Sequence, residues 1–113
     1  LTAFLQMDGI VHAFSDQIAG LNCGRWDYIV SYIKTLKNYP ERALSDRQVV
    51  TMDKPFLSAC SRLLIKTCRK RGAVAVGGMA SFIPSKHVEL NTQVLAEVNA
   101  DNGVEADTGL GGP

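Results

Sequence analysis

The residues best suited to chemistry lie together at positions 20–28, where the chain reads Gly-Leu-Asn-Cys-Gly-Arg-Trp-Asp-Tyr. A short apolar stretch ends there in glycine, and Asp27 follows at the expected start of a helix. In α/β proteins, ligands bind where strands end and helices begin, and the N–H groups of a helix N-terminus bind anions. Because a carboxylate beside those amides would repel an anion, the pattern favours a small acid held through a Mg2+ ion.

Simpler interpretations of the same residues stay open. Aspartate is common at helix starts, so Asp27 could merely cap the helix or fill its first turn, while Trp26 merely packs. Another possibility is a small α/β module that binds an anionic metabolite through the turn at 20–27 without a metal ion.

The other reactive side chains carry weaker signals. His12 and His87 are isolated, and neither belongs to a His-x-x-x-His pair. Three cysteines without a Cys-x-x-Cys pair argue against a disulfide framework or a zinc site and favour a reducing compartment. Cys23 is either a reactive thiol or, more simply, a small buried residue. The basic run at 69–71 could meet phosphate groups, but its place at the end of a helix explains it more simply.

The bulk composition limits the classes of function. The 113 residues suffice for one modest domain, and a formal net charge of +1 argues against a dedicated nucleic-acid binder. No apolar run approaches the roughly 20 residues needed to span a bilayer, and no signal peptide is recognisable. These features predict a cytoplasmic protein with no membrane or nucleic-acid partner.

Hydrophobic periodicity and turn residues predict alternating helices and short buried strands. The predicted order is a helix at 5–18, a strand within 19–24, a helix from about Asp27 to Leu36, a polar surface loop at 39–52, a helix at 53–71 capped by Asp53 and stopped by Gly72, a strand within 73–79, a loop at 81–85 and a weaker helix at 87–100. This order indicates an α/β fold with parallel pairing. Two strands cannot form a stable covered sheet alone, and a complete (β/α)8 barrel needs about 250 residues.

The stretch at 20–28 resembles the malate synthase signature Gly-Leu-Asn-x-Gly-x-Trp-Asp-Tyr. The likeness extends through residues 31–34, 50–56 and 77–85 and covers roughly residues 1–100. It is similar to the A type of bacteria and glyoxysomes more than to the larger G type. The resemblance implies that residues 1–113 form part of a catalytic TIM-barrel domain, with about two strands and their flanking helices.

The resemblance also implies an activity. Malate synthases are acyltransferases of the glyoxylate cycle that condense acetyl-CoA with glyoxylate and hydrolyse malyl-CoA to malate and CoA. Mg2+ chelates glyoxylate and polarises its aldehyde in this family. By motif position, Asp27 matches the metal-binding aspartate. The backbone amides of the glyoxylate-binding turn match Gly24, Arg25, Trp26 and Asp27, and a segment that lines the acetyl-CoA channel matches Phe82, Ile83 and Pro84 more loosely.

Departures from the family pattern bear on the activity of this chain. The catalytic Arg, the second metal ligand (a Glu) and the Asp that serves as base correspond to positions outside these residues. Gly9 replaces a usual Glu, and residues 101–113 read as a divergent tail. We therefore expect an internal fragment that is inactive alone and self-associates through exposed barrel edges. A truncated, non-catalytic paralogue is the alternative.

Overall fold

The computed structural model describes residues 1–46, 49–79, 86 and 88–111. In chain order, the described elements are helices α1 (Thr2–Leu5) and α2 (Met7–Ala13), strand β1 (Gly20–Asn22), helix α3 (Arg25–Leu36), a 3-10 turn (Pro40–Arg42), helix α4 (Pro55–Arg71), strand β2 (Val74–Val76) and helix α5 (Val88–Thr108). Both predicted strands and the α/β class are therefore confirmed.

The two strands pair in parallel, with Gly20 opposite Val74 and Asn22 opposite Val76. The pairing continues one residue past β1, where the Cys23 N–H donates to the Val76 carbonyl at 2.8 Å. Gly20 allows the closest part of this approach, because a Cβ there would lie 2.3 Å from the Val74 carbonyl oxygen. Both strands therefore run side by side and end at the same edge.

A third backbone segment joins β2 on its other side. Gly111 forms a parallel bridge with Val76. Its N–H donates to the Ala75 carbonyl at 2.8 Å, and its carbonyl accepts from the Gly77 N–H at 3.0 Å. Three successive parallel neighbours, each separated by helix, follow the strand order of a (β/α)8 barrel.

Helix α4 carries much of the core. Pro55 occupies its first turn, where the missing N–H costs nothing, and Gly72 ends it in the left-handed conformation at φ 70°. The predicted cap is wrong: Lys54 is the N-cap, because Asp53 instead accepts a hydrogen bond from the Thr51 hydroxyl. The buried face of α4 comprises Leu57, Cys60, Ser61, Leu64, Ile65, Thr67 and Cys68.

The N-terminal helix is shorter than predicted and is divided at Gln6. Helix α2 is fixed to the end of α4, where Arg71 donates two hydrogen bonds of 2.9 Å to the Asp8 carboxylate and Lys70 adds one of 3.0 Å. These bonds, with that of Arg71 the largest, hold the pKa of Asp8 well below its usual range. After Ala13 the chain turns toward β1, and Phe14 is left 54% exposed instead of completing an apolar stripe.

The end of the segment at 39–52, predicted to be a surface loop, is buried. Val50 and Met52 are buried in the core, at 5% and 2% exposure. They belong to a cluster that also contains Cys23, Ile29, Leu57, Leu64, Ile65, Cys68 and Leu110. The connection between α3 and α4 is therefore fixed at its end by apolar burial, whose worth is about 1.5–3 kcal/mol per large side chain.

Helix α5 extends eight residues beyond the predicted end at 100 and stops at Thr108, before Gly109 at φ 97°. Tertiary contacts of its side chains stabilise the extension as a helix. Asp101 forms an ion pair with Arg25, and Glu105 is buried. Leu110 then enters the core. The described part of the tail, residues 101–111, thus packs against the strands.

Large apolar side chains remain on the surface. They include Leu5, Val30, Ile33, Tyr39, Met79, Val88 and Leu95, each at least 46% exposed. Among the described residues, no helix is both long and apolar enough to cross a membrane. A surface of this kind is consistent with the predicted self-association, which stays a prediction.

Two glycine substitutions test how closely the strands approach. Gly20→Ala should lower the free energy of unfolding by about 1–3 kcal/mol, because the new methyl group would meet the Val74 carbonyl. Gly9→Ala is the matched control: it lies in α2 with open space around it and should raise stability by about 0.5–1 kcal/mol. Urea unfolding of both variants measures the difference, and equal effects would contradict the close approach.

Candidate functional site

The site is built where β1 and β2 end. Beyond the Cys23 to Val76 backbone bond, the Asn22 side-chain amide donates to the Gly77 carbonyl at 2.8 Å. Gly78 lies so close to the β1 end that a Cβ there would be 2.7 Å from the Cys23 carbonyl oxygen. These contacts fix the two loops that follow the strands relative to each other.

Helix α3 begins directly after β1. Gly24 is its N-cap, in an extended conformation, and no side chain caps it. The N–H groups of the first turn have no acceptor within a helix, and the positive end of the helix dipole lies there. Gly24, Arg25, Trp26 and Asp27 all line one cavity, so the predicted anion-binding turn is placed at an open surface.

Asp27 occupies the first turn of α3 and does not cap it. Its side chain is exposed, and its carboxylate folds back over Gly24, since a Cβ on Gly24 would lie 2.2 Å from Oδ2. A negative group is favourable at this end of a helix. Glycine at position 24 therefore leaves the space that the Asp27 carboxylate occupies beside the first turn of α3.

The Arg25 side chain points away from free solvent and toward α5. Its guanidinium donates to the Asp101 carboxylate at 2.5 Å, with both side chains largely buried. It also lies 5.1 Å from the centre of the Trp26 ring, a distance suited to a cation–π contact. Asp101 accepts a second hydrogen bond, from the Met52 N–H at 3.3 Å. The Arg25 charge is thus already balanced, which leaves its backbone amide as the group available to an anion.

Glu105 is buried at 7% exposure beside the end of β2. Its carboxyl accepts a hydrogen bond from the Gly78 N–H and fits against two glycines, because a Cβ on Gly77 would lie 2.4 Å from Oε2. Burial raises the pKa of Glu105, the Gly78 bond opposes that shift, and the charge of Asp101 adds to it.

These groups surround a cavity of about 360 Å3. Its walls comprise Asn22, Gly24, Arg25, Trp26, Asp27, Met52, Gly78, Met79, Val98, Asp101, Asn102 and Glu105. The sequence analysis predicted the four residues of the α3 turn that line this cavity but not Asp101 and Glu105, which lie beyond the helix end predicted at 100. Phe82, Ile83 and Pro84 lie outside the described residues, as does His87.

The fit of a magnesium ion rests on Asp27. Mg2+ binds through one or two carboxylates, keeps several waters and takes further oxygens from its ligand. Asp27 offers an exposed carboxylate at the cavity wall, which suits that pattern. Within residues 1–46, 49–79, 86 and 88–111, no group of three or more His, Cys, Asp or Glu side chains could hold a metal. A bound ion would therefore need water, substrate or other protein ligands in addition.

Cys23 lies inside the site sequence but faces the core. It is 4% exposed, and its Sγ lies 3.4 Å from the Ser61 hydroxyl on α4. The Cys60 thiol donates a hydrogen bond to Cys23, and this bond, together with burial, raises the pKa of the Cys60 thiol. The location agrees with the interpretation of Cys23 as a small buried residue.

Fold and cavity together define a class of protein: a segment of an α/β barrel with a cavity at the carboxyl ends of adjacent parallel strands. Comparison with known families makes this specific. The family described as "Malate synthase, TIM barrel domain" matches residues 1–113. The chain therefore belongs to the malate synthase family and is part of its TIM-barrel domain.

Individual relatives agree. Malate synthase A of Escherichia coli (strain K12) is 70% identical over 112 residues, which cover 99% of this chain and 21% of the relative. Malate synthases of Myxococcus xanthus and Dictyostelium discoideum are 50% and 46% identical over 113 residues, again with 99% and 21% coverage. The similarity to the A type is confirmed, and the chain spans about 21% of the length of these relatives.

The raised pKa of Glu105 gives a testable pH dependence. The folded chain keeps a proton on Glu105 at pH values where the unfolded chain has lost it, so this group destabilises the fold as pH rises above about 4.5 through its folded pKa. Glu105→Gln should remove that loss. Relative to wild type, the variant should gain stability in urea unfolding as pH rises from about 4 to about 7, while Glu97→Gln on the exposed part of α5 should not. A constant difference at all pH values would contradict the assignment.

Proposed function

We propose that this chain forms the glyoxylate- and magnesium-binding part of a malate synthase. The observation that supports this most directly is the turn at residues 24–27, where the uncapped amides of α3 and the exposed carboxylate of Asp27 line the same cavity. An anion alone would be favoured by the amides and repelled by the carboxylate. A bound divalent cation resolves that conflict, because the same small acid can then contact both.

In this proposal, Asp27 is a metal ligand, and the backbone amides of Gly24, Arg25, Trp26 and Asp27 bind the carboxylate of glyoxylate. Mg2+, when bound, would polarise the aldehyde of glyoxylate for attack. The residues of this chain orient the acid and hold its charge at the positive end of α3. The partners are glyoxylate and acetyl-CoA.

The reaction that we propose for the whole protein is condensation of acetyl-CoA with glyoxylate, followed by hydrolysis to malate and CoA. By family resemblance, the Arg that stabilises the enolate and the Asp that removes the methyl proton have no counterpart in this chain. Groups of one active site act as a unit, so a partial set does not give a proportionate rate. We propose that the isolated chain turns over near background.

Three further assignments stay predictions. Phe82, Ile83 and Pro84 are proposed to line the acetyl-CoA channel on sequence resemblance alone. A cytoplasmic location rests on composition. Self-association of the isolated chain is supported by apolar side chains on its surface, such as Met79 at 83% and Leu5 at 78% exposure.

The test places this chain where the rest of a site exists. In a chimera, it replaces the matching 112 residues of E. coli malate synthase A. CoA-thiol release by the chimera should require acetyl-CoA, glyoxylate and Mg2+ together. Asp27→Asn should lower the rate at least about 100-fold, since even groups that only orient a metal ligand cost about 10–100-fold when removed. The isolated 113-residue chain, assayed in parallel, should show no release above buffer.

Asp16→Asn is the matched control, because it removes an exposed carboxylate from the turn after α2 and should leave turnover unchanged. An Asp27→Asn chimera with full activity and unchanged Mg2+ dependence would overturn the metal assignment. Stronger metal-free binding of glyoxylate by the Asp27→Asn variant, measured by calorimetry, would instead favour a simple anion-binding turn. Turnover by the isolated chain would overturn the proposal that it is inactive.

A further inference from the structure

We propose that Asp101 and Glu105 are positioning residues that hold the two strand-end loops of the site in register. They lie four residues apart on α5, and therefore on the same face of that helix. Asp101 binds Arg25 at the start of α3, two residues after the loop that follows β1 begins, and Glu105 binds the loop after β2. We call this pair of carboxylates the α5 clasp. Its effect on glyoxylate rests on the proposed function, whereas its effect on the loops does not.

The first half of the clasp acts through Arg25. The ion pair of Arg25 with Asp101 joins residues 76 positions apart and is mostly shielded from solvent, at 16% and 23% side-chain exposure. Arg25 is the first residue of α3, so its position sets the start of the anion-binding turn. The bond from the Met52 N–H fixes the other oxygen of Asp101, which leaves that carboxylate little freedom to move.

The second half of the clasp, Glu105, acts through the backbone of the loop after β2. The Glu105 carboxyl accepts the Gly78 N–H and fills the space that Gly77 leaves. Gly77 is itself held by the Asn22 side chain, which belongs to the end of β1. Glycines at 77 and 78 are therefore needed for two close approaches, one by Glu105 and one by the Cys23 carbonyl.

A carboxylate that merely stabilised α5 would sit on its exposed side. Both clasp residues instead line the cavity with Asp27, and each is bonded to a residue outside α5. Because Asp101 and Asp27 line the same cavity, direct contact of Asp101 with a cation is the alternative role. In the clasp, Asp101 instead acts through Arg25. These two roles predict different results for the double variant of Asp101 and Arg25.

Amide hydrogen exchange of the 113-residue chain tests the clasp without any catalysis. Asp101→Asn should speed exchange about tenfold or more in residues 20–28 and leave 57–70 of α4 unchanged. Glu105→Ala should do the same at 74–79, and Glu105→Gln, which keeps an acceptor, should restore protection there. Asp107→Asn, exposed on the same helix, is the control. Equal changes throughout α4, or none at the strand ends, would overturn the clasp.

The second experiment measures the kinetics of the E. coli chimera and does not depend on the stability of the isolated chain. Asp101→Asn should raise the KM for glyoxylate about tenfold, at the lower end of what loss of an orienting partner costs, with the KM for acetyl-CoA unchanged. Arg25→Gln should have a similar effect, and the double variant should be no worse than either single one, because both remove the same contact. Additive losses would identify Asp101 as a direct ligand and overturn its positioning role.

The two experiments separate the inference from the proposed function. If these variants lost protection at the strand ends but the chimera were inactive, the clasp would stand and the proposed glyoxylate- and magnesium-binding role would be overturned. The clasp alone would be overturned if the chimera were active and Asp101→Asn and Glu105→Ala changed neither its KM for glyoxylate nor the exchange protection at the strand ends.

Discussion

The parallel pairing of β1 with β2 is the interaction on which the site depends. Parallel strands with coincident ends deliver their following loops to the same edge, and here the close backbone contact at Gly20 makes that possible. The N-terminus of α3 and the glycines after β2 meet only because Asn22 and Val76 are opposite each other. A slip of the register by one residue would turn each strand's side chains to the opposite face and would separate Asn22 from the Gly77 carbonyl.

Electrostatic balance follows from that geometry. Among the described residues, the acidic side chains that line the cavity are Asp27, Asp101 and Glu105, and the guanidinium is that of Arg25. Asp101 is neutralised by Arg25, and burial favours the protonated form of Glu105. Asp27 is left as the exposed carboxylate in the first turn of α3. In the proposed function, this carboxylate would bind the cation, and the N–H groups at the start of α3 would bind the acid.

Much of this was predictable, for identifiable reasons. The sequence at 20–28 combines Trp26 with glycines at positions 20 and 24, and this pattern predicts a strand, a turn and a helix start in succession. Gly72 ends α4 because only glycine adopts φ 70° without strain. The clasp was not predicted, because both acids lie beyond the helix end predicted at 100, and acidic side chains usually face solvent. Their burial depends on Arg25, 76 residues away from Asp101, and on glycines whose missing side chains leave room.

The last helix was predicted to end at residue 100, but α5 continues to Thr108. The same residues that extend this helix also line the site. Asn102 and Gly103 have low helix propensity, and Gly103 has open space around it, so local sequence favours an early stop. Helix α5 nevertheless continues to Thr108, because Asp101 and Glu105 bond to the loops and Leu110 enters the core. Tertiary contacts thus override propensity where α5 meets the cavity. The same contacts align Gly111 with Val76, so the wall of the site also determines where the next parallel neighbour begins.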